Sequence, residues 1–312
     1  MMGSLDGKVV AITGGGRGIG RAAALLCAAE GASVVVNDLG TEVDGNGSST
    51  DPARRVSEEI ADAGGKATFT SGDAATVEGA EEVIKTALDQ FGALDGLVCA
   101  SGIRRDRPIW STSEADWDAA VPSMVRGYFL PAKYATILMR QQRSGKIVML
   151  TSDAGLGAAG NSLLAAASEG IIGLARTVAR DVGRYGVTCN SVSAQADTRL
   201  FDASVIAYDG GAAWAAPVDS AGLPAPAIDA WQDAGSPWAP ENVAPLIAFL
   251  LTDASTEING QHFGARGGDI FLYNYPSIER SIQTYGRRFT LDELDNLGPR
   301  SIGFGVSQPA MR

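Results

Sequence analysis

The sequence predicts an α/β fold, a doubly wound parallel sheet of the Rossmann type, from three observations. Short apolar runs of strand length alternate with helical segments through the first two thirds of the chain. The strand runs are nearly continuous in Val, Ile and Leu, which is typical of strands covered on both faces. A glycine-rich segment, Thr13–Gly20, follows the first strand and opens the first helix. Repeated strand–helix–strand units join parallel strands through right-handed crossovers.

The predicted elements follow one another in a regular order. The strand-length runs are Val9–Thr13, Ser33–Asn37, Ala67–Thr70, Leu94–Ala100, Lys146–Thr151 and Val187–Val192. The helical segments between them are Ile19–Glu30, Pro52–Ala63, Thr76–Phe91, Ser113–Gln142 and Leu163–Gly183. Proline at the first position of a helix and glycine just past its end are ordinary start and stop signals, and the segment from Pro52 to Gly64–Gly65 shows both.

Beyond residue 196 the alternation ends. Residues 197–238 are rich in Ala, Pro and Gly with scattered Trp, and two interpretations remain: a mobile loop, or a lid over a substrate pocket, which the fold favours. A further helix is predicted over Pro240–Asp253 and a last strand and turn over Gly260–Gly268. Thr290 resembles an N-cap with Glu293 as its partner. We expect one domain over residues 5–268 and a C-terminal tail over 269–312 that contributes to an interface.

Composition excludes several classes of function. The formal net charge of −11 and the isoelectric point near 4.6 argue against a surface for nucleic acid, which requires clustered Lys and Arg. Cys27, Cys99 and Cys189 lie far apart in apolar runs, so we expect buried free thiols and no metal site.

With no signal peptide pattern and no run of 18 apolar residues, a cytoplasmic location without a membrane span is expected.

The segment Thr13–Gly20 predicts a dinucleotide site. Glycines allow a tight turn close to a pyrophosphate, and the helix N-terminus offers free N–H groups. Asp38 ends the second strand, where a carboxylate accepts hydrogen bonds from the adenosine ribose and repels a 2′-phosphate, which favours NAD over NADP. Arg17 points in the opposite direction, towards NADP, since an arginine at this position can bind the 2′-phosphate. Asp73, after the third strand, is placed to bind the adenine amino group.

These features resemble the short-chain dehydrogenase/reductase family over about residues 5–268. The segments Val34–Gly40, Gly102–Arg107 and Asn259–Gln261, with the long loop from Gly40 to Asp51, are similar to the (3R)-hydroxyacyl-CoA dehydrogenase domain of peroxisomal multifunctional enzymes. The resemblance implies that NAD is the cofactor. The expected cofactor-binding residues are Thr13, Gly14, Arg17, Gly18, Ile19, Gly20, Asp38, Asp73, Ala74, Ala100, Gly102 and Thr198.

The resemblance also implies a catalytic set, and most of it is missing. Members of the family use a Tyr as general acid/base, a Lys one helical turn later that lowers the pKa of the Tyr, a Ser that holds the substrate oxygen, and an Asn that supports a proton relay. Ser152 occupies the serine position. The Asn, Tyr and Lys positions hold Met124, Leu164 and Ser168. Catalytic groups that act together lose their effect together when one is removed. The absence of all three groups is therefore consistent with a loss of the proton relay as a whole.

Substitutes for the lost groups are scarce in the sequence. Lys133 and Tyr134 belong to the preceding helix, and Tyr128 lies nearer the expected pocket. Ser152 has no base beside it in the sequence, and the single histidine, His262, is expected to be a packing or interface residue, which argues against a hydrolase triad.

Three hypotheses follow. The first is a non-catalytic NAD-binding subunit of a heteromeric dehydrogenase, paired with an intact relative that acts on a hydroxyacyl-CoA-like substrate. The second is a self-sufficient NAD-dependent 3-hydroxyacyl-CoA dehydrogenase with unorthodox catalytic residues. The third is an NAD-sensing regulatory module. Apolar residues cover much of the circumference of the predicted helix Leu163–Gly183. The resemblance implies that this helix and Ser113–Gln142 form a subunit interface, so this pattern favours an oligomer. Arg104, Arg105 and Arg107 either contact CoA phosphates or form an exposed charged loop.

Overall fold

The structure is a computed structural model that describes residues 3–201, 236, 238–284 and 286–304. The strands are β1 Val9–Thr13, β2 Ser33–Asn37, β3 Lys66–Thr70, β4 Gly96–Cys99, β5 Gly145–Thr151, β6 Val187–Gln195, β7 His262–Arg266 and β8 Asp269–Leu272. The helices are α1 Gly18–Ala29, α2 Asp51–Asp62, α3 Val77–Phe91, α4 Glu114–Gln142, α5 Ser162–Val182, α6 Ala244–Leu251 and α7 Leu291–Leu297.

The strands form one eight-stranded sheet in the order β3-β2-β1-β4-β5-β6-β7-β8. All neighbouring pairs are parallel except β7 and β8, which are antiparallel. The chain reverses its direction of winding between β1 and β4, so the predicted doubly wound fold is confirmed. In such a sheet a crevice opens beyond the carboxyl ends of the strands at this switch point, and ligands bind there.

Two apolar layers cover the sheet. One buried cluster joins β1 and β2 to α1, α2 and α6, and the other joins β4 and β5 to α3, α4 and α5. The three cysteines are buried and free, as predicted. Burial raises the pKa of Cys27 and of Cys99 to about 12, so both thiols hold their protons at neutral pH.

The sequence did not predict β8. This strand is only four residues long, and Ile270 and Leu272 remain 56% and 57% exposed. It forms because the turn after β7 brings Asp269 opposite Arg266 and lets Phe271 cover Gly264. As a result the first compact unit extends to Tyr273, beyond the expected boundary at residue 268.

The remaining segment forms a second unit, Asn274–Arg312. Within it the predicted cap is confirmed: the Thr290 hydroxyl accepts from the backbone N–H of Glu293, and the Glu293 carboxylate accepts from that of Thr290. The expected lid over 197–238 lies mostly outside the described residues.

One described helix, Ser162–Tyr185, is long and apolar enough by length and composition to cross a membrane. The sequence criterion of an unbroken apolar run overlooked it, because charged residues such as Glu169 and Arg176 interrupt the helix. In the fold this segment contains α5, which packs on the sheet with Ile171 and Ala175 buried. Core helices commonly satisfy the same criterion.

Candidate functional site

The turn between β1 and α1 requires glycine where the chain is most crowded. Gly14 has a φ of +69°, and a Cβ atom there would lie 2.5 Å from the backbone nitrogen of Ser101. A Cβ atom on Gly20 would overlap the carbonyl oxygen of Gly14. Only a chain without side chains at these positions can turn this tightly and begin α1 directly beneath the crevice. The residues present therefore fit a dinucleotide.

A cavity of about 520 Å³ lies at this crevice. It spans the carboxyl ends of β1, β2, β4, β5 and β6 and lies within the range of small-molecule and cofactor sites. The lining includes Gly14, Arg17, Gly18, Ile19, Gly20, Asp38, Asp73, Ala74, Ala100, Gly102 and Thr198, and from the catalytic positions Met124, Ser152, Leu164 and Ser168. Thr13 does not line it. Thr13 is fully buried on β1 and acts through its backbone, whose carbonyl accepts from the N–H of Ala100 at 2.9 Å.

Asp38 fixes the two loops at the β2 end of the cavity. Its Oδ2 accepts from the backbone N–H of Gly16 at 3.0 Å, and its Oδ1 accepts from that of Gly40 at 2.8 Å. Both loops that border the second strand are therefore fixed to one carboxylate. A carboxylate here repels a phosphate group at this end of the cavity.

Two arginines lie close to that carboxylate. Arg17 and Arg199 both donate to the carbonyl oxygen of Thr41, at 2.9 Å and 2.7 Å. Burial and the charge of Arg17 lower the pKa of Arg199, while Asp38 acts in the opposite direction. Arg199 was not singled out by sequence reasoning, because only the fold brings the end of β6 to the loop after β2.

Asp73 lines the cavity, as expected. Its Oδ1 accepts from the backbone N–H of Ala75 at 2.8 Å, and its carbonyl accepts from Thr76, the N-cap of α3. Asp73 thus shapes the turn that carries Ala74 into the cavity wall.

Two of the expected catalytic positions, Met124 and Leu164, belong to or pack against an apolar cluster. Met124 and Leu163 are 4% and 3% exposed, and they pack with Ala120 and Ala167 between α4 and α5. Leu164 packs against the same cluster. Ser168 is 1% exposed. No proton-transferring side chain occupies the positions where the family resemblance places the Asn, Tyr and Lys.

The remaining serine and the considered substitutes do not restore the relay. The Ser152 hydroxyl accepts from the backbone N–H of Ala154 at 3.2 Å, which caps a short 3₁₀ turn. Lys133 is exposed and lies over the ring of Tyr134, and neither lines the cavity. Tyr128 does line it, but deep burial raises the pKa of this phenol well above its ordinary value. Its proton is therefore not available near neutral pH.

The three arginines of the arginine-rich loop pair with two nearby carboxylates. Arg104 pairs with Asp106, and Arg105 and Arg107 both pair with Asp116, at 3.5 Å and 3.3 Å. Arg104 also lines the cavity and donates to the carbonyl of Leu200. These pairings favour a structural charged loop over a phosphate site for this group of arginines.

Sequence reasoning missed a buried polar network at the cavity wall. Asp153, next to Ser152, accepts from the Gln195 side chain at 2.8 Å and from the Tyr273 hydroxyl at 2.7 Å. The Tyr273 ring stacks on His262 at 4.6 Å. The imidazole of His262 is hydrogen-bonded to the hydroxyls of Ser191 and Ser193, consistent with its predicted packing role. These residues are far apart in the sequence, so no local sequence pattern predicts their contacts.

Among the described residues, no group of three or more His, Cys, Asp or Glu is arranged to hold a metal ion. The described site consists of a glycine-rich turn, polar side chains at the end of β2, and apolar side chains between α4 and α5.

Comparison with known proteins agrees with this geometry. A family model described as short chain dehydrogenase matches residues 8–202. The chain is 35% identical over 299 residues to the hydroxyacyl-CoA dehydrogenase ChsB1 of Mycobacterium tuberculosis, covering 93% of this chain and 87% of that protein. It is 36% identical over 264 residues to the peroxisomal multifunctional enzyme type 2 of Mus musculus, covering 84% of this chain and 32% of that enzyme. A crystal structure of a short chain dehydrogenase from Mycobacterium avium superposes with a TM-score of 0.78 at 35% identity, covering 96% of each chain.

Proposed function

The chain belongs to the short-chain dehydrogenase family, and from that premise we propose that it is an NAD-binding, non-catalytic subunit of a heteromeric dehydrogenase. The single observation that carries the proposal is the apolar cluster around Met124 and Leu164. It occupies the positions from which relatives in this family deliver and remove the reacting proton.

The cofactor half of the proposal rests on the cavity. NAD, when bound, supplies the hydride acceptor of an alcohol oxidation. The turn at Gly14–Gly20 would hold its pyrophosphate, and Asp38 would accept hydrogen bonds from the adenosine ribose. The carboxylate favours NAD over its 2′-phosphorylated form.

The non-catalytic half rests on what the reaction requires. Removing the alcohol proton needs a base within hydrogen-bond reach, and general acid–base catalysis supplies roughly 10²–10⁴-fold in rate. Leu164 has no titratable group, and Ser168 is buried on α5. A cofactor bound here meets an apolar wall in place of a base.

The substrate and partner follow from the relatives and from one surface. A hydroxyacyl-CoA dehydrogenase and a peroxisomal multifunctional enzyme are both similar to this chain over more than four fifths of its length. We therefore propose that the intact partner acts on a hydroxyacyl-CoA-like substrate. On α4, Phe129 and Ile137 are 46% and 48% exposed and eight residues apart, so they share one helix face that suits a subunit interface.

The test compares the isolated chain with the native complex. Expressed alone, the chain should bind NADH, detected by fluorescence, yet give no measurable oxidation of a 3-hydroxyacyl-CoA. Isolated through an affinity tag on this chain from its native host, it should bring with it a second short-chain dehydrogenase that bears the Tyr and Lys.

A pair of variants assigns the chemistry to one subunit. In the reconstituted complex, replacing the partner's catalytic tyrosine by phenylalanine should lower kcat by about 10²–10⁴-fold. Ser152→Ala in this chain should leave kcat within about twofold, since no base accompanies that hydroxyl. Robust turnover by the isolated chain would overturn the proposal in favour of a self-sufficient dehydrogenase. NADH binding with no partner and no turnover would instead indicate a regulatory module.

A further inference from the structure

The side-chain amide of Gln195 has a fixed orientation at the end of β6. Gln195 is 8% exposed and lines the cavity. Its Nε2 donates to Oδ2 of Asp153 at 2.8 Å. A carboxylate accepts hydrogen bonds, so only the NH₂ group of the amide can face it. This contact therefore determines where the amide oxygen lies.

That oxygen is buried and lacks a hydrogen-bond partner within the part of the chain that the structure describes. A buried acceptor without a donor destabilises the folded protein, and most buried polar groups are satisfied. Rotating the amide would not solve the problem, because it would bring the oxygen towards the Asp153 carboxylate. The arrangement thus leaves one buried acceptor without a partner on a residue that lines the cavity.

Two further contacts hold this arrangement in place. The Tyr273 hydroxyl donates to Oδ1 of Asp153 at 2.7 Å. The Tyr273 ring stacks on His262 with a centroid distance of 4.6 Å and an interplanar angle of 16°. Asp153 is consequently fixed from β6 on one side and from the end of β8 on the other.

The sheet order indicates which part of a dinucleotide meets Gln195. Asp38 ends β2, on one side of the switch point between β1 and β4, and Gln195 ends β6, on the other side. A dinucleotide that lies across such a crevice has its two nucleosides on opposite sides. With adenosine next to Asp38, the nicotinamide half lies towards β5 and β6. Its carboxamide carries an NH₂ donor.

We infer that Gln195 Oε1 accepts a hydrogen bond from the carboxamide amino group of nicotinamide, with Asp153 and Tyr273 as positioning residues. This inference rests on the proposed NAD binding. Two other polar groups of the cavity lining are engaged: the Ser152 hydroxyl accepts from Ala154, and Arg104 is paired with Asp106.

A chemical cycle tests the contact. Dissociation constants are measured for NAD, for 3-acetylpyridine adenine dinucleotide, which has a methyl group in place of the NH₂, and for ADP-ribose, which lacks the nicotinamide. The native chain should prefer NAD over the acetylpyridine analogue by about tenfold, since a buried acceptor left unpaired penalises the analogue. In Gln195→Leu the preference should fall to within about twofold.

Tyr273→Phe tests the positioning role. It removes the hydroxyl that fixes Asp153 and should reduce the preference to an intermediate value, while ADP-ribose binds all three proteins with affinities within about twofold of one another. Thermal unfolding verifies that each variant is folded. If Gln195→Leu does not fold, Gln195→Asn replaces it, because the shorter amide cannot keep both contacts.

The outcomes separate this inference from the proposed function. Failure of the native chain to bind NAD and ADP-ribose would refute NAD binding itself. Tight ADP-ribose binding with a preference for NAD that survives Gln195→Leu would refute only the role of Gln195. The same holds if the native chain shows no preference for NAD over the analogue.

Discussion

Among the single residues of the cavity, Asp38 is the one that we expect to have the largest influence on cofactor choice. Both of its oxygens accept backbone hydrogen bonds, so the carboxylate shapes the two loops that border the second strand as well as placing a charge there. Arg17 and Arg199 lie beyond it and share the carbonyl of Thr41. Two arginines and one carboxylate therefore border this end of the cavity, and the carboxylate directly follows the second strand.

Asp38→Ala should weaken NAD binding by about tenfold and reduce the preference for NAD over NADP by at least that factor. Without the carboxylate, the two arginines are left to attract a 2′-phosphate. Equilibrium titration with both dinucleotides measures the change. Asp62→Asn, on an exposed carboxylate at the end of α2, is the control. An unchanged NAD/NADP ratio in Asp38→Ala would contradict this role.

His262 is the second residue with a testable consequence. Burial, with the positive charge of Arg176, lowers the pKa of its imidazole from 6.5 to about 4. The unfolded chain therefore binds the proton more readily than the folded protein does. Between these two pH values, the free energy of unfolding rises with pH, and this contribution is lost as the pH falls through the same window.

Urea unfolding at pH 5 and pH 7.5 tests this. The native chain should lose about 1–2 kcal/mol more than His262→Gln between pH 7.5 and pH 5. Other groups also titrate in this range, so the difference between the two proteins is the informative quantity. Equal losses in both would show that His262 is protonated with its ordinary pKa in the folded state.

At the scale of secondary-structure elements, α4 and α5 pack together at the positions where the family resemblance places the catalytic groups. Met124 from α4 and Leu163 from α5 are nearly inaccessible and share one cluster with Ala120 and Ala167. A polar relay at these positions would have to be buried in this contact. Under the proposed function, the two helices gain apolar packing at positions where the family resemblance implies polar catalytic groups.

Met124→Asn should therefore lower the free energy of unfolding by about 2–4 kcal/mol, through a lost apolar side chain and a buried amide. Met124→Leu, which preserves volume, should cost less than about 1.5 kcal/mol. Chemical denaturation of both variants provides the comparison. Equal stability of the Asn and Leu variants would mean that the cluster tolerates a polar group, which weakens the case for a lost relay.

At the scale of the whole molecule, large apolar side chains are exposed on the helices of both layers that cover the sheet. The α3–α4–α5 layer exposes Phe129 and Ile137 along a single face of α4. The opposite layer exposes Phe249 on α6. If subunits associate through α4, the first face will matter for assembly and the second will not.

Phe129→Glu should shift the protein to a smaller oligomer, because a carboxylate buried at an interface without a partner is strongly unfavourable. Light scattering coupled to size-exclusion chromatography measures the mass. Phe249→Glu, with similar exposure on the other layer, should leave the mass unchanged. Dissociation by the α6 variant and not by the α4 variant would place the interface elsewhere.

Local patterns in the sequence determined much of this protein. Strands β1 and β2 begin and end where their apolar runs do, and most other boundaries differ by one or two residues. The glycine turn, Asp38 and the missing Tyr, Lys and Asn are readable because each depends on residue type at a fixed distance along the chain. Residue types and their spacing along the chain are properties of the sequence itself, so these features can be predicted without a structure.

Only the tertiary structure decided the rest. Strand β8 forms because β7 offers a free edge, although its own residues are few and half exposed. Arg199 reaches Thr41, and Gln195 meets Asp153 and Tyr273, across separations in the chain that no local pattern encodes. Such contacts depend on which strands end side by side in the sheet. The sequence thus predicted a dinucleotide cradle without its catalytic partners, and the fold determined which polar side chains surround it.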